Sequence, residues 1–130
     1  MYFKDAIDAF NRNDYRLTVL SSQATCEKAA KAIIAIYRVP SWSHDPSIEL
    51  LDLLNDLPKD LKEDIVKLAD LVHKIAPEHS RATYSEPSKS LTPWDLYDKQ
   101  YAQKTLERAN EAIKIMSKIL KTLNIKLNGE

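Results

Sequence analysis

The chain has 130 residues, 44% hydrophobic and 29% charged, a composition typical of an ordinary folded protein that predicts a single domain over residues 1–130. Lys and Arg together number 19, as do Asp and Glu, so no overall field favours nucleic acid and any such contact must come from a local cluster. The single glycine, Gly129, excludes glycine-rich phosphate loops, and the single cysteine, Cys26, excludes an intrachain disulfide and cysteine-rich metal sites.

An asparagine-rich turn separates the first two predicted helices. Residues 2–12 carry large apolar side chains at helical spacing. Residues 11–13 are expected to end this helix, because asparagine tolerates the left-handed conformation. The second helix is predicted over residues 14–38 and ends before Pro40. Cys26 lies on its apolar face, which predicts a buried structural thiol.

Prolines divide the middle of the chain. Asp45 is expected to cap a short third helix with Pro46 at its first position. Pro58 begins a fourth helix, whose apolar residues recur at steps of three and four as far as Ile75. Residues 77–91 show no periodicity and are predicted to form a long loop.

The last predicted helix begins at Thr92 and Pro93, which are typical of a capping box, and extends to about Leu123. The predicted fold class is all-α, an up-and-down four-helix bundle with an additional short helix. Residues 1–5 lack the features of a signal peptide, and the longest apolar run, residues 32–37, is too short to span a membrane. We therefore expect a cytoplasmic protein without a membrane segment.

Polar residues interrupt the apolar stripe of the second helix. Gln23 and Glu27 need partners if they face the interior, because an unpaired buried carboxylate is costly. Arg108 or Tyr101 of the last helix could supply those partners, and a purely structural polar network is the alternative to a functional one. Two cations of the same helix are candidate ligand-binding residues: Arg16 and Lys28.

The segment after the second helix offers two catalytic candidates, Arg38 and His44. His44 and Asp45 could form an oriented acid–base pair, or Asp45 could cap a helix while the histidine packs over the turn. Arg38 precedes His44 by six positions, a spacing that recurs by chance and carries little weight alone. Trp42 and Trp94 are expected to be packing anchors, whereas an exposed tryptophan would indicate a partner surface.

The predicted long loop holds a second group of candidates. His79, Arg81 and Tyr84 could grip a phosphate and stack on a base. The alternative is a solvent-exposed loop with incidental charges. His73, within the fourth helix, is expected to be a boundary residue and not a ligand.

Several pieces occur in an order that resembles the HEPN domains, small helical proteins linked to nucleotides and RNA. They are residues 13–15 ahead of a long helix, residues 23–32 within it, residues 39–40 and 43–45 after it, and a tyrosine-containing segment at residues 83–86. The resemblance covers nearly the whole chain and includes the long final helix.

The resemblance implies a domain that binds nucleotide or RNA and acts with a separate minimal nucleotidyltransferase chain, sometimes as toxin and antitoxin. It also implies a homodimer with a cleft between the protomers. We expect no cofactor and no metal. Four residues are expected around such a cleft: Arg38, His44, Arg81 and Tyr84.

Ribonucleases of this family cut RNA without a metal, using an arginine followed by four to six residues and a histidine near the start of the last helix. Arg38 and His44 have that spacing but follow the second helix instead. Near the expected position Arg81 has no histidine after it, and His79 precedes it. A metal-independent ribonuclease therefore stays the alternative function, beside a purely structural dimerisation module.

Overall fold

The computed structural model describes residues 2–83 and 97–124, which form an all-α bundle and contain no strand. This confirms the predicted fold class. No helix in these two ranges is long and apolar enough to cross a membrane. The helices are α1 Tyr2–Asn11, α2 Tyr15–Ile34, α3 Ser47–Asp52, α4 Lys62–Ile75, α5 Glu78–Thr83 and α6 Lys99–Thr122, with a 3₁₀ turn at Lys59–Leu61 before α4.

Helix α2 is the centre of the bundle and packs against α1, α4, α5 and α6. Its Ile33 side chain is fully buried with Leu68 of α4 and Ile119 of α6 in the main hydrophobic core. Cys26 is also fully buried, and burial raises the pKa of its thiol to about 12. A thiol held in its neutral form by burial is not a nucleophile, in agreement with the predicted structural role.

The turn between α1 and α2 follows the prediction. Asn13 adopts a left-handed conformation with φ of 64°. Asp14 then caps α2, since its Oδ1 accepts a hydrogen bond from the Leu17 backbone N–H at 3.2 Å. These two residues reverse the chain and bring α1 against α2.

Helix α2 ends at Ile34, earlier than the predicted residue 38. The Tyr37 backbone N–H donates to the Ile34 carbonyl oxygen at 2.9 Å, an i to i+3 bond that tightens the chain into a turn. Pro40 follows three residues later and disfavours helical geometry at the position before it. The chain leaves α2 here and runs back over its surface.

The predicted long loop is wrong in its first part, because Glu78–Thr83 forms α5. Arg81 donates its backbone N–H to the Pro77 carbonyl oxygen at 3.2 Å, which closes a helical turn directly after the proline. Ala82 is fully buried in a second hydrophobic cluster with Val19 of α2. Tertiary contacts therefore stabilise a segment without apolar periodicity.

Helix α6 begins at Lys99, and its N-cap is Asp98, whose Oδ1 accepts from the Tyr101 backbone N–H at 2.8 Å. The predicted start at Thr92 and Pro93 lies outside the described residues. The end at Thr122 agrees with the prediction to within one residue.

Candidate functional site

The buried carboxylate of Glu27 on α2 is the centre of the candidate site. The residue is 6% exposed. Its Oε1 accepts hydrogen bonds from Gln23 Nε2 at 3.0 Å and from His44 Nδ1 at 2.8 Å, while Oε2 accepts from Lys31 Nζ at 3.0 Å. Gln23 and Lys31 lie one helical turn on either side of Glu27, so α2 itself brings them together.

These donors decide the charge of the carboxyl group. Burial on its own raises the pKa of Glu27, but the hydrogen bonds from Gln23, His44 and Lys31 outweigh burial and leave the pKa below its ordinary value. Glu27 is therefore an anion at neutral pH and can only accept hydrogen bonds. The proton on His44 Nδ1 must point at Glu27, which leaves Nε2 as the nitrogen available to a ligand.

A second histidine lies directly on the first. The rings of His44 and His79 stack with their centroids 3.6 Å apart and their planes inclined by 20°. The His44 side chain is 52% exposed, so the stacked pair is open to solvent on one side. The two imidazoles reach this point from different elements, the segment after α2 and helix α5.

The stacked histidines border an open pocket of ≈ 270 Å³. Lys28, which is exposed and directly follows Glu27, lines this pocket. The residues that line the pocket are Tyr2, Leu20, Gln23, Ala24, Glu27, Lys28, His44 and His79. A lysine and two imidazoles beside an aromatic ring form a site suited to an anion that carries a flat ring, such as a nucleotide phosphate.

A second buried carboxylate fixes α5 and therefore His79. Glu78 is 4% exposed and accepts a hydrogen bond from the Tyr97 hydroxyl at 2.6 Å on Oε2. The Tyr101 hydroxyl and Arg81 Nη1 both donate to Oε1, the arginine at 2.9 Å. Burial and the hydrogen bond to Glu78 raise the pKa of both tyrosines. The neutral hydroxyls thus tie α5 to the start of α6 and set the position of the adjacent His79.

A family model described as the HEPN domain matches residues 1–126 of the 130-residue chain. The chain belongs to the HEPN family. The match confirms the resemblance noted in the sequence, and it makes the chain a helical module related to nucleotides or RNA. No curated protein and no solved structure matches the chain.

In this HEPN domain the His44–Asp45 pair, one of the two alternatives that the sequence left open, is not formed. Asp45 does not pair with His44; its Oδ2 lies 2.8 Å from His73 Nδ1, and its Oδ1 accepts from the Ser47 backbone N–H at 3.1 Å. The prediction that Asp45 caps this helix is wrong by one residue, because Pro46 is the N-cap of α3 and no side chain caps it. Burial on its own raises the pKa of Asp45. The hydrogen bonds from Ser47 and His73 lower it by more, so the pKa lies below its ordinary value.

The expected partners of Glu27 were also wrong. Tyr101 bonds to Glu78, and Glu27 is satisfied by Gln23, Lys31 and His44. The two missed partners with a detectable signal are Gln23 and Lys31, because side chains four residues apart on a helix are expected to meet.

The structure brings together only some of the predicted site residues of this HEPN domain. His44, His79 and Lys28 line the same pocket. Arg38 instead lies 4.0 Å from Asp52 of α3 in an exposed ion pair, and the structure does not join it to His44.

The remaining candidates lie at a distance or outside the described residues. Arg16 is half-buried eleven residues before Glu27 on α2, which at 1.5 Å per residue is about 16 Å away. Arg81 pairs with Glu78, and its guanidinium lies 5.9 Å from the centroid of the Tyr97 ring. Tyr84 lies outside the described residues. Within the described ranges, no group of three or more His, Cys, Asp or Glu side chains could hold a metal ion.

Trp42 is not the packing anchor expected from the sequence. Its side chain is 97% exposed, on the segment between α2 and α3. The other predicted anchor, Trp94, lies outside the described residues.

Proposed function

We propose that this HEPN domain binds nucleotide or RNA through a phosphate group held in the pocket of Lys28, His44 and His79. The observation that carries the proposal is the 2.8 Å contact between His44 Nδ1 and Glu27, with the His79 ring stacked 3.6 Å away. This arrangement fixes the proton of His44 on one side and turns Nε2 towards a ligand.

Each side chain has a distinct part in the proposal. Lys28 neutralises phosphate charge, and a protonated imidazole donates to a phosphate oxygen through Nε2. Tyr2, at the pocket wall and 48% exposed, offers a ring for a base. Glu27 does not repel the phosphate strongly, because Gln23, Lys31 and His44 already occupy its oxygens.

The proposed ligand-binding set has three further members: Arg16, Arg81 and Tyr84. Arg81 is bound to Glu78 and contributes by orienting α5, two residues after His79. Arg16 lies about 16 Å along α2 from Glu27 and would contact a ligand that extends beyond the phosphate site.

The proposal also includes protein partners. HEPN domains commonly dimerise, which supports a homodimer here. By membership of the family we further propose a separate minimal nucleotidyltransferase chain as partner, in a toxin–antitoxin setting. Co-purification of such a chain with this one, followed by mass spectrometry, tests that pairing.

The test of ligand binding compares matched variants. The purified chain is titrated with ATP and, separately, with a labelled structured RNA. We expect His44→Ala and Lys28→Ala each to weaken binding about tenfold, the value of one lost charge-assisted hydrogen bond. Arg81→Ala should weaken it less. Lys67→Ala, an exposed lysine of α4, is the control and should leave binding unchanged. Equal affinity in His44→Ala and Lys67→Ala would contradict the proposal.

A second candidate is a metal-independent ribonuclease, favoured by the Glu27–His44 pair with a second histidine beside it. One imidazole would take the proton of an RNA 2′-hydroxyl as it attacks phosphorus, and the other would protonate the leaving 5′-oxygen, giving a 2′,3′-cyclic phosphate. Cleavage of RNA in the presence of EDTA that is lost in His44→Ala would establish this activity. Binding without cleavage would leave the ligand-binding role.

A further inference from the structure

The exposed side chain of Trp42 lies on a turn that is held by hydrogen bonds on both sides. Ser41 donates its hydroxyl and its backbone N–H to the carboxylate of Glu49 on α3. Ser43 donates its backbone N–H to Ser41 Oγ at 3.2 Å, and the Asp45 backbone N–H donates to Ser43 Oγ at 3.0 Å. The indole is therefore presented by a fixed turn between two anchored serines.

The next residues anchor the same segment to the bundle. His44 contacts Glu27 on α2, and Asp45 contacts His73 on α4, each at 2.8 Å. A segment anchored at four of the five residues from 41 to 45 nevertheless leaves its largest apolar side chain 97% exposed. Burial of an aromatic side chain removes about 150–250 Å² from water, a gain that this turn forgoes. The indole is therefore accessible to a ligand.

Trp42 is also close to the phosphate pocket. Only Ser43 separates it from His44, so the Cα atoms of Trp42 and His44 lie at most about 7 Å apart. The adjacent pocket supplies the cationic groups, the ammonium of Lys28 and the imidazoles of His44 and His79. Two carboxylates also lie near the turn, and both already accept hydrogen bonds: Glu49 from Ser41, and Asp45 from the Ser47 backbone N–H. A flat apolar surface beside cationic groups complements a base that is attached to a phosphate.

We propose that Trp42 is a base-stacking platform, which makes the ligand of the Glu27 pocket a single-stranded RNA of several nucleotides in preference to a mononucleotide. The inference rests on the proposed phosphate site at Lys28, His44 and His79. One nucleotide places its phosphate in the pocket, and the base of a neighbouring nucleotide stacks on the indole. Trp42 adds affinity only for ligands long enough to reach it.

The experiment uses tryptophan fluorescence. The chain has two tryptophans, so Trp94→Phe leaves Trp42 as the reporter. This variant is titrated with AMP and with hexaadenylate. We expect hexaadenylate to quench Trp42 and to bind about tenfold more tightly than AMP. In the otherwise native chain, Trp42→Ala should remove that tenfold advantage while leaving the affinity for AMP unchanged.

Val39→Ala is the matched control, because Val39 is 90% exposed on the same segment and carries no aromatic ring. It should leave both affinities unchanged. Thermal melting monitored by circular dichroism checks that Trp42→Ala folds like the native chain, as expected for an exposed side chain.

The outcomes separate the two proposals. If AMP binds in a His44-dependent way but hexaadenylate neither quenches Trp42 nor binds more tightly, the stacking inference is overturned and the phosphate site stands. If Val39→Ala and Trp42→Ala weaken hexaadenylate binding equally, the surface is a general apolar one that suits a protein partner, which also overturns the inference. If neither ligand binds, both proposals fail.

Discussion

The Glu27 carboxylate accepts hydrogen bonds from three side chains, and only two of these partners could be predicted from the sequence. Gln23 and Lys31 lie four residues away on either side, and the helical repeat alone predicts that they meet Glu27. His44 is seventeen residues away, beyond the end of α2, so its contact depends on how the chain turns back. The sequence accordingly indicated a polar centre on α2 but assigned it partners from the wrong helix.

Glu27→Gln tests the strength of this centre. The amide presents one oxygen and one NH₂ group, so it cannot accept from His44 and from Lys31 through both atoms. We expect the free energy of unfolding in urea to fall by about 1–3 kcal/mol, as for a buried donor that loses its acceptor. Glu107→Gln, an exposed residue of α6, is the control, with an expected change below about 0.5 kcal/mol. Equal effects of the two substitutions would show that the Glu27 contacts do not stabilise the fold.

The lowered pKa of Glu27 also predicts how stability depends on pH. The folded chain holds the carboxyl pKa below its ordinary value of 4.5, so the unfolded chain binds more protons in the acid range. The stabilisation is therefore complete above pH 4.5 and is lost as the pH falls through the lowered value. Urea unfolding at pH 7.0 and pH 3.5 should show a larger loss in the native chain than in Glu27→Gln. The same loss in both would contradict the prediction.

Among the elements, the α1–α2 turn shows what local sequence can predict. Asn13 is left-handed with φ of 64°, and its Oδ1 accepts from the Tyr15 hydroxyl at 3.1 Å. Asparagine and glycine tolerate this conformation, whereas a residue with a plain Cβ is penalised. The turn was predictable because the constraint is local to a single residue.

Two substitutions at this turn separate conformation from hydrogen bonding. Asn13→Ala should lower the melting temperature, with a loss of about 1 kcal/mol from the left-handed conformation. Asn13→Gly should change the stability by less, because glycine adopts positive φ without strain. Equal losses in both variants would indicate that the bond to Tyr15, and not the backbone conformation, is what matters.

Helix α5 shows the opposite case. Its residues give no apolar periodicity, so a loop was predicted there. The helix depends on the carboxylate of Glu78, which accepts hydrogen bonds from the hydroxyls of Tyr97 and Tyr101. Both tyrosines come after residues 84–96, which lie outside the described ranges. Contacts between residues about twenty positions apart are set by tertiary packing, and residue-by-residue propensity does not contain them. His79 was a candidate from the sequence, but its stacking on His44 could be found only in the folded chain.

For the whole molecule, the fold class was readable because every long helix carries its own apolar pattern, and the family match confirms it. The sequence did not predict the candidate site as a whole, because its residues come from four separate elements: α1, α2, α5 and the segment after α2. The net charge of zero makes the proposed RNA contact a local one.

This local contact predicts a weak dependence of RNA affinity on salt. One to three phosphates in contact with Lys28 and the two histidines give a slope of log K against log salt between about −0.7 and −2. Affinity for a single-stranded RNA, measured from 50 to 300 mM KCl at pH 6, checks this value. A slope steeper than about −4 would require a broad cationic surface and would contradict binding at the pocket alone.

The most direct test of the central claim is a ¹⁵N-detected NMR titration of the three histidine side chains with a short single-stranded RNA. His44 and His79 line the pocket, and His73, which pairs with Asp45 and does not line the pocket, is an internal control. The account predicts that saturating RNA shifts the imidazole nitrogens of His44 and His79 towards the protonated form and leaves those of His73 unchanged. Unmoved resonances of His44 and His79 with RNA bound would place the ligand elsewhere and contradict the account.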